Sequence, residues 1–268
     1  MPEGDTIHKI AAVLAPRLCG QIASAVYLKK ISSQALTGRR VLDVASKGKH
    51  LFITFDNGVV LRSHLGMYGS WHRYAAGEPW RKPARCASIV LEIGACAYVC
   101  FSAREVELMA SGGYRLADAR QRLGPDLARE ASDPMLAVRR AGELLPPRTC
   151  LADLLLDQRV ACGIGNVYKS EVLFLQGLHP GRAMGETPPQ ILAALYRLAG
   201  EMLRNNLGGG PRTTRFVRDG RGVLWVYGRG DQPCLRCGAV IRHESIGANP
   251  RSTYWCPDCQ PPQEEGLG

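Results

Sequence analysis

A chain of 268 residues, 46% of them hydrophobic, can build one large core or two to three smaller ones, which sets it apart from disordered chains. It has no stretch near the ~20 apolar residues of a membrane helix and no basic-then-apolar leader, so a cytoplasmic, nucleoid-associated protein without membrane contact is expected. Lys and Arg number 34 against 24 Asp and Glu, and the formal charge of +10 favours a polyanionic partner such as nucleic acid without requiring one.

The chain opens MPEGDTIHKI. Ile7, Ile10, Ala11, Leu14 and Leu18 recur at spacings of three and four, which predicts an amphipathic helix over 2–19 with Pro2 in its first turn. Two readings of that proline stay open. Its fixed φ suits the first turn of a helix, and Glu3 complements the positive helix end. Alternatively, removal of Met1 leaves Pro2 with a free secondary amine at a helix N-terminus, and such an amine is a nucleophile.

The runs QIASAVYL, RRVLDVASKGKHLFITF, GVVLRSHLGMYGSWHRY and ASIVLEIGACAYVCFSA follow, separated by turn residues such as Asp56-Asn57-Gly58. They predict a two-layer β-sandwich that, with the first helix, fills residues 1–120. Within it, Lys49 follows a glycine at the start of an apolar strand. It is either solvated or, near a catalytic amine, available to hold a phosphate or help move protons. Met67 and Tyr68 lie between glycines in an expected turn. They either fold back into the core or stand exposed, able to wedge into a base stack where a nucleotide has been extruded.

The segment RLADARQRLGPDLAREASDP reads as helical and polar, and Pro146-Pro147 mark a boundary. From Leu151 to Gly210 the pattern is helical throughout, with LADLLLDQRV and NVYKSEVLFLQG joined by the turn ACGIG. Residues 121–210 are therefore expected to form a linker and a helical domain. Asn166 follows Gly163-Ile164-Gly165; it is either the N-cap of a packed turn or part of a helix N-terminus that seats a phosphate. Glu171 reads as a helix-face salt bridge as readily as a catalytic carboxylate, and no role is assigned to it.

Residues 211–262 begin with the basic loop GGGPRTTRFVRDGRG and an expected strand VLWVYGR. From Arg204 to Arg229, both included, there are six arginines and one acid, Asp219, and arginine is the residue suited to bidentate phosphate contacts. Cys234, Cys237, Cys256 and Cys259 read C-x2-C-x18-C-x2-C, two tight knuckles that place four thiolates around one structural Zn2+. With four cysteines present, His243 is not needed as a ligand. The other six cysteines show no partner spacing and are expected to be buried small hydrophobes. Arg251, five residues before Cys256, lies on the turn side of the hairpin; it is either one of the unspecific exposed arginines common on zinc ribbons or a residue that a finger loop inserts into a minor groove. Residues 263–268 read as a disordered tail.

MPEGD, SKGKHLF, SHLGMYGSW, LGPD at 123–126, LLLDQRVACGIGNVYKSEVLF, CLRCG and RSTYWCPDCQ occur in this order along nearly the whole chain. The combination resembles the formamidopyrimidine-DNA glycosylase and endonuclease VIII family of base-excision repair enzymes. The MPEG start is similar to the endonuclease VIII branch, whereas the 8-oxoguanine branch typically begins MPELPEV. The resemblance implies an α+β fold: an N-terminal β-sandwich with an N-terminal helix, a helix-two-turn-helix domain and a C-terminal zinc β-hairpin.

It further implies a monomeric, bifunctional DNA glycosylase/AP lyase acting on double-stranded DNA with damaged bases or abasic sites, oxidised pyrimidines foremost. Pro2 would attack C1′ of the damaged nucleotide, Glu3 would be the adjacent acid/base, and Lys49 would assist the lyase steps and contact DNA. Asn166 and Arg251 would hold the phosphates flanking the lesion, and Met67 and Tyr68 would fill the void. Gly66-Met67-Tyr68 stands where endonuclease VIII carries Gln-Leu-Tyr, and Asp5-Thr6 where it carries Pro-Glu. Two other readings remain: an 8-oxoguanine-type glycosylase of the same family, and a non-catalytic zinc protein that binds damaged DNA.

Overall fold

The computed structural model describes residues 1–129, 133–217 and 219–262, so the expected tail at 263–268 and Arg218 lie outside the described residues. The chain divides into two compact units, Met1–Arg122 and Leu123–Gly268.

The first unit opens with helix α1 (Gly4–Leu18). Strands β1 (Ala23–Leu28), β2 (Val41–Lys47), β3 (His50–Phe55), β4 (Val59–His64), β5 (Ser70–Ala75), β6 (Ala87–Ile93), β7 (Cys96–Phe101) and β8 (Glu105–Ala110) follow, then helix α2 (Tyr114–Gln121). The strands form two four-stranded sheets, ordered β1-β6-β7-β5 and β2-β3-β4-β8. The buried face of α1 supplies Ile7, Ala11, Leu14 and Leu18 to a core shared with Val44 and Leu51 of one sheet and Ile89 and Leu91 of the other. Each buried Ile, Leu or Val side chain contributes about 1.5–3 kcal/mol by leaving water, and Ala11 less.

The helix starts later than its apolar period implies. Glu3 is the N-cap, in extended backbone, and forms a capping box with Thr6. The Glu3 N–H donates to Thr6 Oγ1 at 3.4 Å. Pro2 therefore stands just outside the helix instead of in its first turn. Strand β8 is an addition to the sequence reading. Its Glu105-Val106-Glu107-Leu108 alternation is a strand pattern that the sequence reading did not include, and both acids serve the sheet: Arg62 of β4 donates to Glu105 at 2.6 Å and to Glu107 at 2.8 Å.

The expected helical run after residue 114 breaks at Gln121. The Gly124 N–H donates to Gln158 O at 2.9 Å and Asp126 bridges to Cys162, which commits the backbone to pairing outside a helix. The next helix, α3 (Pro134–Leu144), starts where Asp133 caps the Met135 N–H at 2.9 Å and Pro134 takes the first turn. Pro146-Pro147 fall inside the second unit, in the connection to α4 (Leu151–Leu156).

Helices α5 (Asn166–Leu175) and α6 (Pro189–Asn205) complete the helical part, and strands β9 (Arg242–Ile246) and β10 (Arg251–Trp255) form the C-terminal hairpin. Leu154, Ile164, Tyr168, Val172, Leu195, Tyr196 and Leu203 make up the centre of the helical core. A satellite core of Phe174, Val226, Ile241 and Cys256 seats the hairpin on α5. The expected strand at 223–229 is irregular backbone. No helix among the described residues is long and apolar enough to cross a membrane. Of the six remaining cysteines, Cys100 and Cys162 are buried, whereas Cys19, Cys86, Cys96 and Cys150 are half-buried, more open than the sequence reading had them.

Candidate catalytic terminus, phosphate site and metal centre

Pro2 is half-buried and Glu3 fully buried. The Gly20 N–H donates to Val41 O at 2.8 Å, which fixes the C-terminal end of α1 at the start of β2. A 15-residue helix and a seven-residue strand are each roughly 22 Å long, so α1 laid back along β2 directs its N-terminus to the level of the β2–β3 turn. Gly48 and Lys49 form that turn, with Gly48 at φ +54° and Lys47 paired to His50. His50 also pairs with His64, so the segment after β4 leaves the same end of the sheet. In that segment Leu65 turns into the core, but Met67 is 58% exposed and Tyr68 78%. The reading in which both fold back into the core is overturned.

Behind Lys49 the electrostatics are set by two imidazoles whose ring centroids lie 4.8 Å apart. Burial, then the charges of Arg62, His64 and Lys49, push the His50 pKa down to about 3. Arg62 Nε donates to His50 Nδ1 at 3.3 Å, which matches a neutral ring accepting at that nitrogen. His64 is also lowered, again chiefly by burial, with Glu105 opposing the shift.

In the second unit the turn into α5 is stapled by Gln158, a residue the sequence reading passed over. Its amide donates to Leu156 O (2.8 Å) and Ile164 O (3.0 Å) and accepts the Gly163 N–H at 3.0 Å. Gly163 sits at φ +115°, where a side chain would be strained. Gly165 is the N-cap, so Asn166 is the first helical residue and not the cap. The positive end of the helix dipole lies at this mouth, which suits it to an anion.

The zinc-type hairpin is tied to this helix start. Lys169, fully buried, donates to Asn166 Oδ1 at 3.4 Å, Ser252 O at 3.1 Å and Thr253 Oγ1 at 2.8 Å. Thr253 Oγ1 donates to Arg251 O at 2.8 Å, and the Tyr254 N–H donates to Ser170 Oγ at 3.3 Å. Near the hairpin tip, Asp153 of α4 accepts the Ala248 N–H at 2.6 Å. The Arg251 side chain itself is exposed. One ammonium group thus ties Asn166 to Ser252 and Thr253, the two residues that follow Arg251 on β10.

The arginine-rich loop is used differently from the sequence expectation. Arg215 is 3% exposed, forks onto Asp219 and lies 5.1 Å over the Trp225 ring; Arg221 also reaches Asp219, at 2.7 Å. The Arg215 guanidinium holds the Asp219 carboxyl well below the usual carboxylate range. Arg229 donates to Trp225 O and Pro233 O, each at 2.8 Å. These arginines build the loop from within instead of all facing a partner. Glu171, which sequence left without a role, organises the same loop: fully buried, it accepts the N–H groups of Trp225 (2.8 Å), Val226 (2.9 Å) and Tyr227 (2.8 Å) and the Thr214 hydroxyl. Burial raises its pKa while these four donors pull it back. The three amides satisfied here are the ones a strand at 223–229 would have needed for its ladder.

Cys234, Cys237, Cys256 and Cys259 bring all four sulfurs within 4.8 Å of one another. Tetrahedral Zn–S bonds place sulfurs about 3.8 Å apart, and the pairs Cys237–Cys256 at 3.4 Å and Cys234–Cys259 at 4.0 Å bracket that figure. An all-thiolate, closed set of this kind fits one structural Zn2+. His243 lies apart from it, stacked on Tyr254 with ring centroids 4.2 Å apart.

Three family models match most of the chain: the formamidopyrimidine-DNA glycosylase N-terminal domain at residues 1–112, the formamidopyrimidine-DNA glycosylase H2TH domain at 123–217, and the zinc finger found in FPG and IleRS at 231–262. A "probable endonuclease 8 2" of Streptomyces coelicolor is 39% identical over 97% of this chain and 94% of its own length. A "DNA-(apurinic or apyrimidinic site) lyase Nei2" of Mycolicibacterium smegmatis is 37% identical over 97% and 99%. Lactococcus lactis formamidopyrimidine-DNA glycosylase, solved non-covalently bound to DNA containing an AP site, superposes with a TM-score of 0.80 at 22% identity over 97% of this chain and all of that one.

Proposed function

Because this chain belongs to the formamidopyrimidine-DNA glycosylase and endonuclease VIII family of DNA glycosylases/AP lyases, we propose that it excises oxidised pyrimidines from duplex DNA through Pro2 and then opens the strand by elimination. The pyrimidine assignment rests on the resemblance of the MPEG start to the endonuclease VIII branch, and the endonuclease 8 relatives, more than a third identical along nearly their whole length, support that branch.

In this reading the Pro2 nitrogen, freed of Met1, attacks C1′ and the damaged base leaves with its bonding electrons, protonated on departure. The attacking nitrogen gives up its N–H proton, and its lone pair then forms a C1′=N bond as the C1′–O4′ bond breaks; O4′ takes up a proton, and the product is an iminium that is cationic without further protonation. That cation acidifies the C2′ proton; a base removes it, the C3′–O bond breaks, and the 3′-phosphate departs. Water then releases the sugar remnant from Pro2. Glu3, at the next position, is the group suited to pass protons at the sugar. Lys49 brings a cation to the same end of the sheet, while Asn166 and Arg251 hold flanking phosphates. Met67 and Tyr68 fill the space left by the extruded base, a step whose few kcal/mol are smallest for damaged bases. Cys234, Cys237, Cys256 and Cys259 would hold a structural Zn2+ that keeps the hairpin folded. The enzyme acts as a monomer on DNA in the cytoplasm.

The observation that carries this proposal is that the Lys49 turn and the exposed Met67-Tyr68 tip leave one end of one sheet, the end toward which α1, packed on β2 with its C-terminal end at Val41, runs back to Pro2 and Glu3. Borohydride trapping on an abasic-site duplex tests it: a covalent adduct mapped to Pro2 is expected, and intact DNA affinity without an adduct would instead identify a binding protein. Parallel excision from thymine-glycol and 8-oxoguanine duplexes tests the substrate, and faster release of 8-oxoguanine would overturn the pyrimidine assignment.

A further inference from the structure

Lys169 is among the largest fully buried side chains of the molecule, although it stands in the first turn of α5, where the helix dipole disfavours a cation. An apolar residue of similar length would fill the volume without the cost of desolvating an ammonium. The ammonium has three hydrogens to give, and the acceptors at hydrogen-bonding distance among the described residues include Thr253 Oγ1, Ser252 O and Asn166 Oδ1. Two of these follow Arg251 directly on β10, and the third belongs to the first residue of α5. Because the carbonyl end of the Asn166 amide faces the cation, its NH2 end is turned away, the same polarity as the amide N–H groups at the helix mouth.

We propose that Lys169 is a positioning residue that locks the start of α5 to the zinc hairpin and presents the donor end of Asn166, so that Asn166 and Arg251 act as one phosphate clamp. This rests on the reading of Asn166 and Arg251 as phosphate ligands. Lys169 touches no nucleotide itself. It works by fixing two donors in one geometry and by adding positive charge beneath them.

The test compares zinc-loaded, full-length Lys169→Met, Asn166→Ala and Arg251→Ala, and the double variants with Lys169→Met, by affinity for a duplex carrying a tetrahydrofuran abasic analogue across a salt series. Lys169→Met is expected to lose about tenfold in affinity or more, and its slope of log K against log salt is expected to fall by about 0.9 for each phosphate contact released. In the Asn166→Ala or Arg251→Ala background the same change should cost clearly less than it does alone, because coupled residues are non-additive. A general loss of stability would leave the slope unchanged and the losses additive, and that result overturns the proposal. So does unchanged affinity in a folded Lys169→Met protein while Asn166→Ala and Arg251→Ala both bind weakly. If those two bind normally, the phosphate reading beneath the proposal fails first. Should Lys169→Met not fold, Thr253→Val decides: it removes one acceptor with little change of shape, is expected to move affinity and slope the same way by a smaller factor, and overturns the proposal if both stay at the wild-type values.

Discussion

Glu171 holds Val226: the carboxylate accepts the Val226 main-chain N–H at 2.9 Å, with Trp225 and Tyr227 bonded on either side. One buried side chain thereby does for residues 225–227 what a neighbouring strand would otherwise do. Glu171→Gln replaces one acceptor oxygen by an NH2 group facing donors, which strands buried N–H groups at about 1–3 kcal/mol each. A loss of about 2–5 kcal/mol in unfolding free energy is expected from denaturant titration, with DNA affinity weakened through disorder of the loop. Wild-type stability in this variant would show that the loop is held by other means.

That relationship was beyond reach of sequence, for a reason that recurs. Periodicity reports which face of an element is buried, so the α1 stripe and the paired runs of the sandwich were legible. Local chemistry was legible too: C-x2-C knuckles need only four sulfurs near one point. What could not be seen were bonds between distant polar residues. VLWVYGR has the composition of a strand, but its amides are claimed by a glutamate 54 to 56 positions earlier. Asn166 looked like a cap because its neighbours are glycines; the cap is Gly165, and what sets the Asn166 side chain is Lys169, which sequence gave no reason to single out. Arginine density suggested a phosphate surface, yet Arg215 and Arg229 are engaged within their own loop.

His50 gives a pH prediction. Its folded-state pKa lies near 3 while the unfolded value is about 6.5, so the unfolded chain binds the extra proton first as pH falls. Stability from this group is complete above pH 6.5 and is lost toward pH 3, by up to about 4 kcal/mol over that span. His64 is shifted in the same direction and adds to the effect. His50→Gln keeps an acceptor for Arg62 without titrating. Its melting temperature is expected to fall less steeply than wild type between pH 7 and 4, and parallel curves would refute the assignment.

Zinc removal separates two parts of the second unit. The hairpin core of Phe174, Val226, Ile241 and Cys256 is distinct from the helical core around Tyr168 and Leu195. Cys237→Ser should lower bound zinc from about one equivalent toward none, since structural zinc sites draw their stability from the closed thiolate set. Far-ultraviolet helix signal is expected to persist while affinity for abasic DNA falls by at least about tenfold, because the Arg251 loop loses its anchor. Full affinity in zinc-free protein would remove the hairpin from the binding surface.

Met67 and Tyr68 are exposed, so their removal should leave the fold alone. Met67→Ala with Tyr68→Ala is expected to change stability by less than about 0.5 kcal/mol per site. If the pair fills the void beside an extruded base, the double variant should cut excision of a base-paired lesion by about tenfold or more, since flipping costs a few kcal/mol. Cleavage at a preformed abasic site, which has no base to extrude, should fall much less. Equal losses on both substrates would mark the tip as a general DNA contact.

Glu3 carries two duties that a single substitution can separate. As N-cap it closes the capping box with Thr6, and as neighbour of Pro2 it is the proposed proton carrier. Glu3→Gln retains a side-chain carbonyl for the cap, so its melting temperature is expected to stay within a few degrees of wild type. The amide cannot exchange a proton, and general acid–base help of this kind is worth about 10²–10⁴ in rate. Excision of an intact damaged base, which needs protons delivered as base and sugar oxygen change charge, should fall by that factor. A preformed abasic site already offers an aldehyde to the Pro2 amine and should still yield a borohydride adduct. The comparison requires mass spectra showing that Met1 is absent, because a retained methionine makes the Pro2 nitrogen a tertiary amide with no lone pair to give. An active enzyme that keeps Met1, or a Glu3→Gln protein that excises bases at the wild-type rate, would end the case for an N-terminal nucleophile served by this carboxylate.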